Sequence, residues 1–243
     1  MNLPAAKQPD SWTFFDKIYC ISLDNRSDRR EQARKEFDTL GILERVEFVI
    51  VAKHPTDREQ GIFQSHMECL NRGIAAGGHH ILVFEDDVFF QRYDAHGLHQ
   101  ACTHLASIAW NGFFLGCITD GSTRTAEKSL AKIHYRTLAH AYALNRPFAD
   151  RLVQEKWSGV PFDEFLRRRG ENFYALSPMC AFQGHSGTDN QRVAIDRMRR
   201  IFGGLPFIQK ANELYHNHRL SLLCATVGFT VASILCVALA IRL

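Results

Sequence analysis

No two cysteines in this 243-residue chain stand in a C-x-x-C spacing, and the seven present (Cys20, Cys69, Cys102, Cys117, Cys180, Cys224 and Cys236) match no metal-ligand pattern. An odd, unpatterned set excludes a disulfide framework and predicts reduced thiols that pack as small hydrophobes. A Lys/Arg run long enough to track phosphates is also lacking. The longest, Arg167-Arg168-Arg169, falls at an expected helix end, where cations offset the dipole. With a net charge of only +3, this excludes wholesale nucleic-acid binding. The N-terminal stretch MNLPAAKQPDSWTFFDK has no uninterrupted apolar segment, so no secretory signal is expected. There is no second acidic cluster to hold a metal pair, which argues against a two-metal phosphohydrolase.

What is present is a globular composition, 46% hydrophobic and 23% charged, followed by a long apolar tail. The residues before the tail suffice for one α/β domain, expected over 14–202. From Leu220 to Ile241 the chain reads LSLLCATVGFTVASILCVALAI, without a charge. As a helix this run is about 33 Å long, enough to cross a hydrocarbon core of about 30 Å. Lys210, His216, His218 and Arg219 precede it, so the basic flank lies on the domain side. The expectation is a linker over 203–219, a transmembrane helix over 220–241, post-translational insertion and a cytosolic domain.

Strands are expected at 17–23, 46–51, 79–84, 112–117, 133–144 and 173–176, where apolar, β-branched and aromatic residues concentrate. Helices are expected at 28–39, 61–76 and 93–109, for about ten residues from Asn145-Arg146-Pro147, after Pro161, and near 189–201. Residues 118–131 are polar and poorly patterned and read as a mobile loop. Alternating strands and helices predict a mostly parallel sheet with helices on both faces, and a ligand site at the carboxyl ends of the strands.

Two strand ends carry chemistry. VFEDDVFF at 83–90 puts Glu85, Asp86 and Asp87 just past a buried strand. Like charges this close raise one another's pKa, and a hard divalent cation, magnesium or manganese, relieves them. A solvated acidic turn is the plainer alternative. SLDNRSDRR at 22–30 puts Arg26, Arg29 and Arg30 at a helix start, where a base, ribose or diphosphate could dock. A solvated helix face is equally compatible with it. Ser65-His66, within GIFQSHMECL at 61–70, is no nucleophile pair by itself, since neighbouring residues point apart and no partner acid is evident.

In order along the chain, DKIYCISLDNRSDRR, GIFQSHMECL, ILVFEDDVFF, HAYALNRPFADRLV, GVPFDEFL and FYALSPMCAFQ resemble the successive segments of glycosyltransferase family 25. That family includes lipopolysaccharide and collagen galactosyltransferases, and the resemblance spans residues 16 to about 185. It implies a GT-A-like domain, a UDP-hexose donor (commonly UDP-galactose), manganese and inversion at the anomeric carbon. On that reading Asp87, with Glu85 or Asp86, bridges metal and diphosphate, and Arg26, Arg29 and Arg30 hold the nucleotide. Asp163 is the candidate base, with Glu164 and Asp189 behind it and His185 as a late metal ligand. As a helix cap after Pro161, Asp163 has a second reading that stays open. The acceptor implied is a glycan or a lipid-linked, membrane-associated sugar. The shortened 51–61 connection, Ile62 and Asn145 depart from the family pattern. They leave open an inactive tail-anchored module that kept the fold.

Overall fold

The computed structural model describes residues 11–184 and 204–219. Its elements are β1 (Lys17–Leu23), α1 (Ser27–Thr39), β2 (Val46–Val51), α2 (Arg58–Ala75), β3 (His80–Glu85), β4 (Val88–Phe90), α3 (Ala95–Leu105), β5 (Gly112–Arg124), β6 (Leu130–Asn145), α4 (Arg146–Leu152), α5 (Phe162–Arg169), β7 (Phe173–Leu176) and β8 (Ala181–Gln183). Along β1, Ile18 and Cys20 face one side and Tyr19 and Ile21 the other, the period of an extended chain covered on both faces.

Six strands form one sheet in the order β2-β1-β3-β6-β5-β7, with β4 and β8 paired separately. β1 is parallel to β2 and β3, β6 runs antiparallel to β3 and β5, and β7 is parallel to β5. Five strands therefore point one way and β6 opposes them, so the sheet is α/β and mostly parallel as expected. One face is packed by α2, α4 and α5 through Phe63, Leu70, Phe148, Phe162 and Leu166. The other is packed by α1 and α3 through Phe37, Leu98, Ala101 and Leu105. Each such leucine or phenylalanine, buried, contributes about 1.5–3 kcal/mol.

Local rules account for most helix starts. Asp57 caps α2 by accepting from the N–H groups of Glu59 and Gln60, at 3.0 and 3.2 Å. Asn145 caps α4 through Phe148 N–H at 2.9 Å, with Pro147 in the first turn. One expectation is corrected. The stretch 118–131 is mostly strand: β5 continues to Arg124 and β6 begins at Leu130, a long hairpin with several register shifts. Residues 204–219, within the expected linker, are helical and docked. The Asn212 side-chain amide brackets Thr119, accepting from its N–H and donating to its carbonyl, both at 2.9 Å. Glu213 accepts from Met179 N–H at 2.6 Å and Arg92 at 2.8 Å, and Gln209 donates to the Ala181 carbonyl at 2.8 Å. The backbones are so close there that a Cβ on Gly116 would lie 1.8 Å from the Ala181 carbonyl oxygen.

Among the described residues no helix is long and apolar enough to cross a membrane. The expected span 220–241, the helix near 189–201, His185 and Asp189 all lie outside the described residues.

Candidate functional site

The carboxyl ends of β1, β2 and β3 open into a cleft of about 250 Å³. Its lining includes Ser22, Arg29, Lys53, His54, Arg58, His66, Glu85, Asp86 and Asp87. Glu85 ends β3, and Asp86-Asp87 form the turn into β4. That turn is tied to β8, for Gly184 N–H donates to the Asp87 carbonyl at 2.7 Å and Gln183 to Asp87 Oδ2 at 3.2 Å. Asp87 Oδ1 is buried and has no hydrogen-bond partner among the described residues.

Of the three arginines, the structure brings one to the acids. Arg29 lies 3.6 Å from Asp86 and 3.5 Å from Asp87, all three side chains largely buried. Arg26 clasps Asp28 with two hydrogen bonds of 2.9 Å and reaches Asp86 only through its charge. Arg30 braces the β1–α1 turn, donating to Ser22 Oγ at 3.2 Å and the Leu23 carbonyl at 2.7 Å. Neither lines the cleft.

Burial dominates the electrostatics. Desolvation first, then the charges of Asp163 and Asp86, push the Glu85 carboxyl up to about 8. Desolvation and Glu85 push Asp87 up to about 7 against the opposing Arg29, and desolvation also raises Asp86. Carboxyls raised despite an adjacent arginine have too little positive charge and too few hydrogen-bond donors to offset their burial. Glu85 is not convergent with the other two. It faces His66, whose Nε2 lies 3.5 Å from Glu85 Oε1. His66 is fixed in turn by Tyr142 Oη at 3.0 Å from Nδ1 and by a parallel stack on Phe162 with centroids 3.9 Å apart. Desolvation holds that imidazole down to about 3, so it is neutral. The expectation of three carboxylates gripping one ion is therefore narrowed. Among the described residues, no group of three or more His, Cys, Asp or Glu side chains is placed to hold a metal ion.

Asp163 sits elsewhere. Its carboxylate accepts from Tyr135 Oη and Thr137 Oγ1, each at 2.6 Å, and from the N–H groups of Leu138 and Ala139 at 3.1 and 3.0 Å. Four donors fill its four lone-pair sites. It is neither a cleft-lining base nor a cap on its own helix, because α5 has no side-chain cap bond. It pins the kink of β6 at Leu138, where φ is 73°. Glu164 is held down to about 2 by hydrogen bonds from Arg167 and Arg168. Ser65 donates back to the Gly61 carbonyl at 2.7 Å, so no Ser–His relay forms.

Sequence reasoning missed Lys53, His54 and Arg58, which line the same cleft as the acids. The rule that led to the ends of β1 and β3 applies equally to β2, and it would have found them. His54 is seated by its Nδ1, which accepts from Asp57 N–H at 3.0 Å. A Cβ on Gly61 would lie 2.8 Å from His54 Cβ, which is why glycine stands there. Arg58 begins α2, so its charge adds to the positive end of an 18-residue helix.

With this geometry in hand, comparison with known proteins gives a fold-level likeness only. No family model matches, and no curated protein matches. Among solved structures, the chain is similar to A197 from STIV at 10% identity, over 69% of this chain and 85% of that one, with a TM-score of 0.44. It is similar to apo UDP-glucose pyrophosphorylase at 11% identity, over 84% and 82%, with a TM-score of 0.41. It is also similar to a glycosyltransferase involved in glycosylation of the major capsid of PBCV-1 at 10% identity, over 56% and 63%, with a TM-score of 0.35. Scores below 0.5 at such identities carry no functional argument. The site must carry it.

Proposed function

We propose that this chain is a GT-A-like hexosyltransferase that takes a sugar, galactose by the family 25 resemblance, from a UDP-sugar. It passes the sugar with inversion to a glycan or lipid-linked acceptor at a membrane. One observation carries the reading: a cleft at three strand ends gathers largely buried, under-partnered acids together with Arg29, Lys53, His54 and Arg58. Such a site suits a ligand that is itself anionic and brings a cation.

A magnesium or manganese ion fits the donor set, since Asp87 Oδ1 lacks a partner among the described residues and both aspartates are raised by desolvation. Asp86 and Asp87 would hold it. When bound it would offset the negative charge that builds on the departing nucleotide. Arg29, Arg58 and Lys53 would bind and orient the diphosphate. Glu85 takes over from Asp163 as base. It lines the cleft beside His66 with 30% of its side chain exposed, and in its ionised form, which a cation held at the neighbouring aspartates would favour against the desolvation that raises it, it can receive the proton of an acceptor hydroxyl.

The test is UDP release from UDP-hexoses by the full chain, with manganese present or chelated. Chelation and Asp87→Ala should each reduce release by about 100-fold or more. The second reading, an inactive tail-anchored module, is favoured by Arg29 standing as a built-in counter-charge between the two aspartates. Equal background rates in both proteins would select it.

A further inference from the structure

Residues 204–219 form a helix with two unlike faces. The inward face carries Gln209, Asn212 and Glu213, bonded to Ala181, Thr119, Met179 and Arg92. The outward face carries Phe207, Ala211, Leu214, Tyr215 and His218, at spacings of four, three, one and three residues. These fall within about a third of the helix circumference at 100° per residue. Phe207, Leu214 and Tyr215 are 57%, 58% and 57% exposed, more than any other large apolar residue among the described ones. The helix has one acid, Glu213, and it points inward to Arg92. The charges left for the outside are basic, Arg219 and, when protonated, His218, while Lys210 is turned to the domain, where it donates to Gln91 Oε1 and lies over the Phe182 ring. From residue 220 the sequence continues into the uncharged 22-residue run.

We infer that this outward face lies in the headgroup boundary of a lipid bilayer and docks the domain in one fixed orientation. An apolar stripe with an aromatic residue, flanked only by basic charge, suits an anionic lipid surface. The apolar run that follows delivers the face to such a surface. The consequence reaches the cleft, because Leu205, at the start of this helix, lines it. Tyr215 is ten residues further along, about 15 Å of helix. The cleft therefore opens close to the lipid plane, within reach of an acceptor anchored in the same leaflet. This inference rests on the membrane part of the proposed function.

The test uses the full chain reconstituted in vesicles of phosphatidylcholine and phosphatidylglycerol with brominated acyl chains. Phe207→Trp and Tyr215→Trp are compared separately, after subtracting the emission of the three native tryptophans. Both sites are exposed, so matched melting curves are expected to show that each variant folds. The expected result is loss of the added emission at both sites, with similar depths of about 5–10 Å below the phosphates. Loss at Tyr215→Trp alone would mean a helix standing on end and would overturn the inference. No loss at either site, in protein that still floats with the vesicles, would overturn it and leave the anchor standing. Protein that does not float would remove the anchor and this inference together. UDP release, measured in the same samples, reports on the transferase reading independently.

Discussion

The two halves of the sheet treat buried carboxylates in opposite ways. At the ends of β1, β2 and β3, Asp87 keeps an oxygen without a partner and is pushed up to about 7. At the kink of β6, Asp163 is engaged by four donors at 2.6–3.1 Å. A saturated carboxylate is a structural post; an unsaturated one at a cleft is kept for something that arrives later. The sharpest way to break this contrast is Asp163→Ala. It would strand two hydroxyls and two backbone N–H groups in a half-buried site, and about 2–4 kcal/mol of stability should be lost. Urea unfolding measures it. Full stability with transfer abolished would instead make Asp163 part of the chemistry.

A smaller effect, of known sign, comes from the cleft. In metal-free protein Glu85 and Asp87 keep protons up to about 8 and about 7, with desolvation as the first cause. In the unfolded chain they release them at about 4. Between those limits the unfolded state binds fewer protons, so stability falls as pH rises. His66 and His140, held by burial down to about 3 and about 4, push the other way. Their contribution ends above about 6.5, where unfolded histidine is already neutral. From pH 6.5 to 8 the carboxyls act alone, and the fall should be about 1–2 kcal/mol. Asp87→Asn should flatten part of it, and manganese should flatten more by favouring the ionised acids in the folded state. A level profile in chelator would remove the distinction between the two halves.

The sequence made the parallel half legible because its signals are local. KIYCISL and VEFVIV match β1 and β2 residue for residue, and HHILVF misses β3 by one position at each end. The acidic run at 85–87 fell at a strand end because an apolar run stops there. The other half depends on partners far away in sequence. Asp120, Gly121 and Ser122 are poor strand formers, yet they lie in β5 because β6 pairs with them and Asn212 and Asn217 bond to Thr119 and Ser122. The Asn212 and Asn217 bonds span more than ninety residues, so no window of the sequence displays them. Side-chain direction was equally hidden. Among Arg26, Arg29 and Arg30, only the rotation of α1 against the sheet selects Arg29.

That selection gives the mildest and most specific prediction. Arg26 carries the same charge as Arg29 three positions away, but its guanidinium is spent on Asp28, whose side chain is exposed. Paired this closely the two charges present little net field to a ligand, although the Arg26 side chain itself is only 16% exposed. Arg26→Ala should therefore shift the KM for the UDP-sugar by less than about twofold. Arg29→Ala, which removes the cation beside Asp86 and Asp87, should raise the same KM by about tenfold or more. Steady-state kinetics at fixed manganese and fixed ionic strength compares the two. Equal effects would mean that the whole arginine turn meets the ligand, and the cleft would then extend over the start of α1.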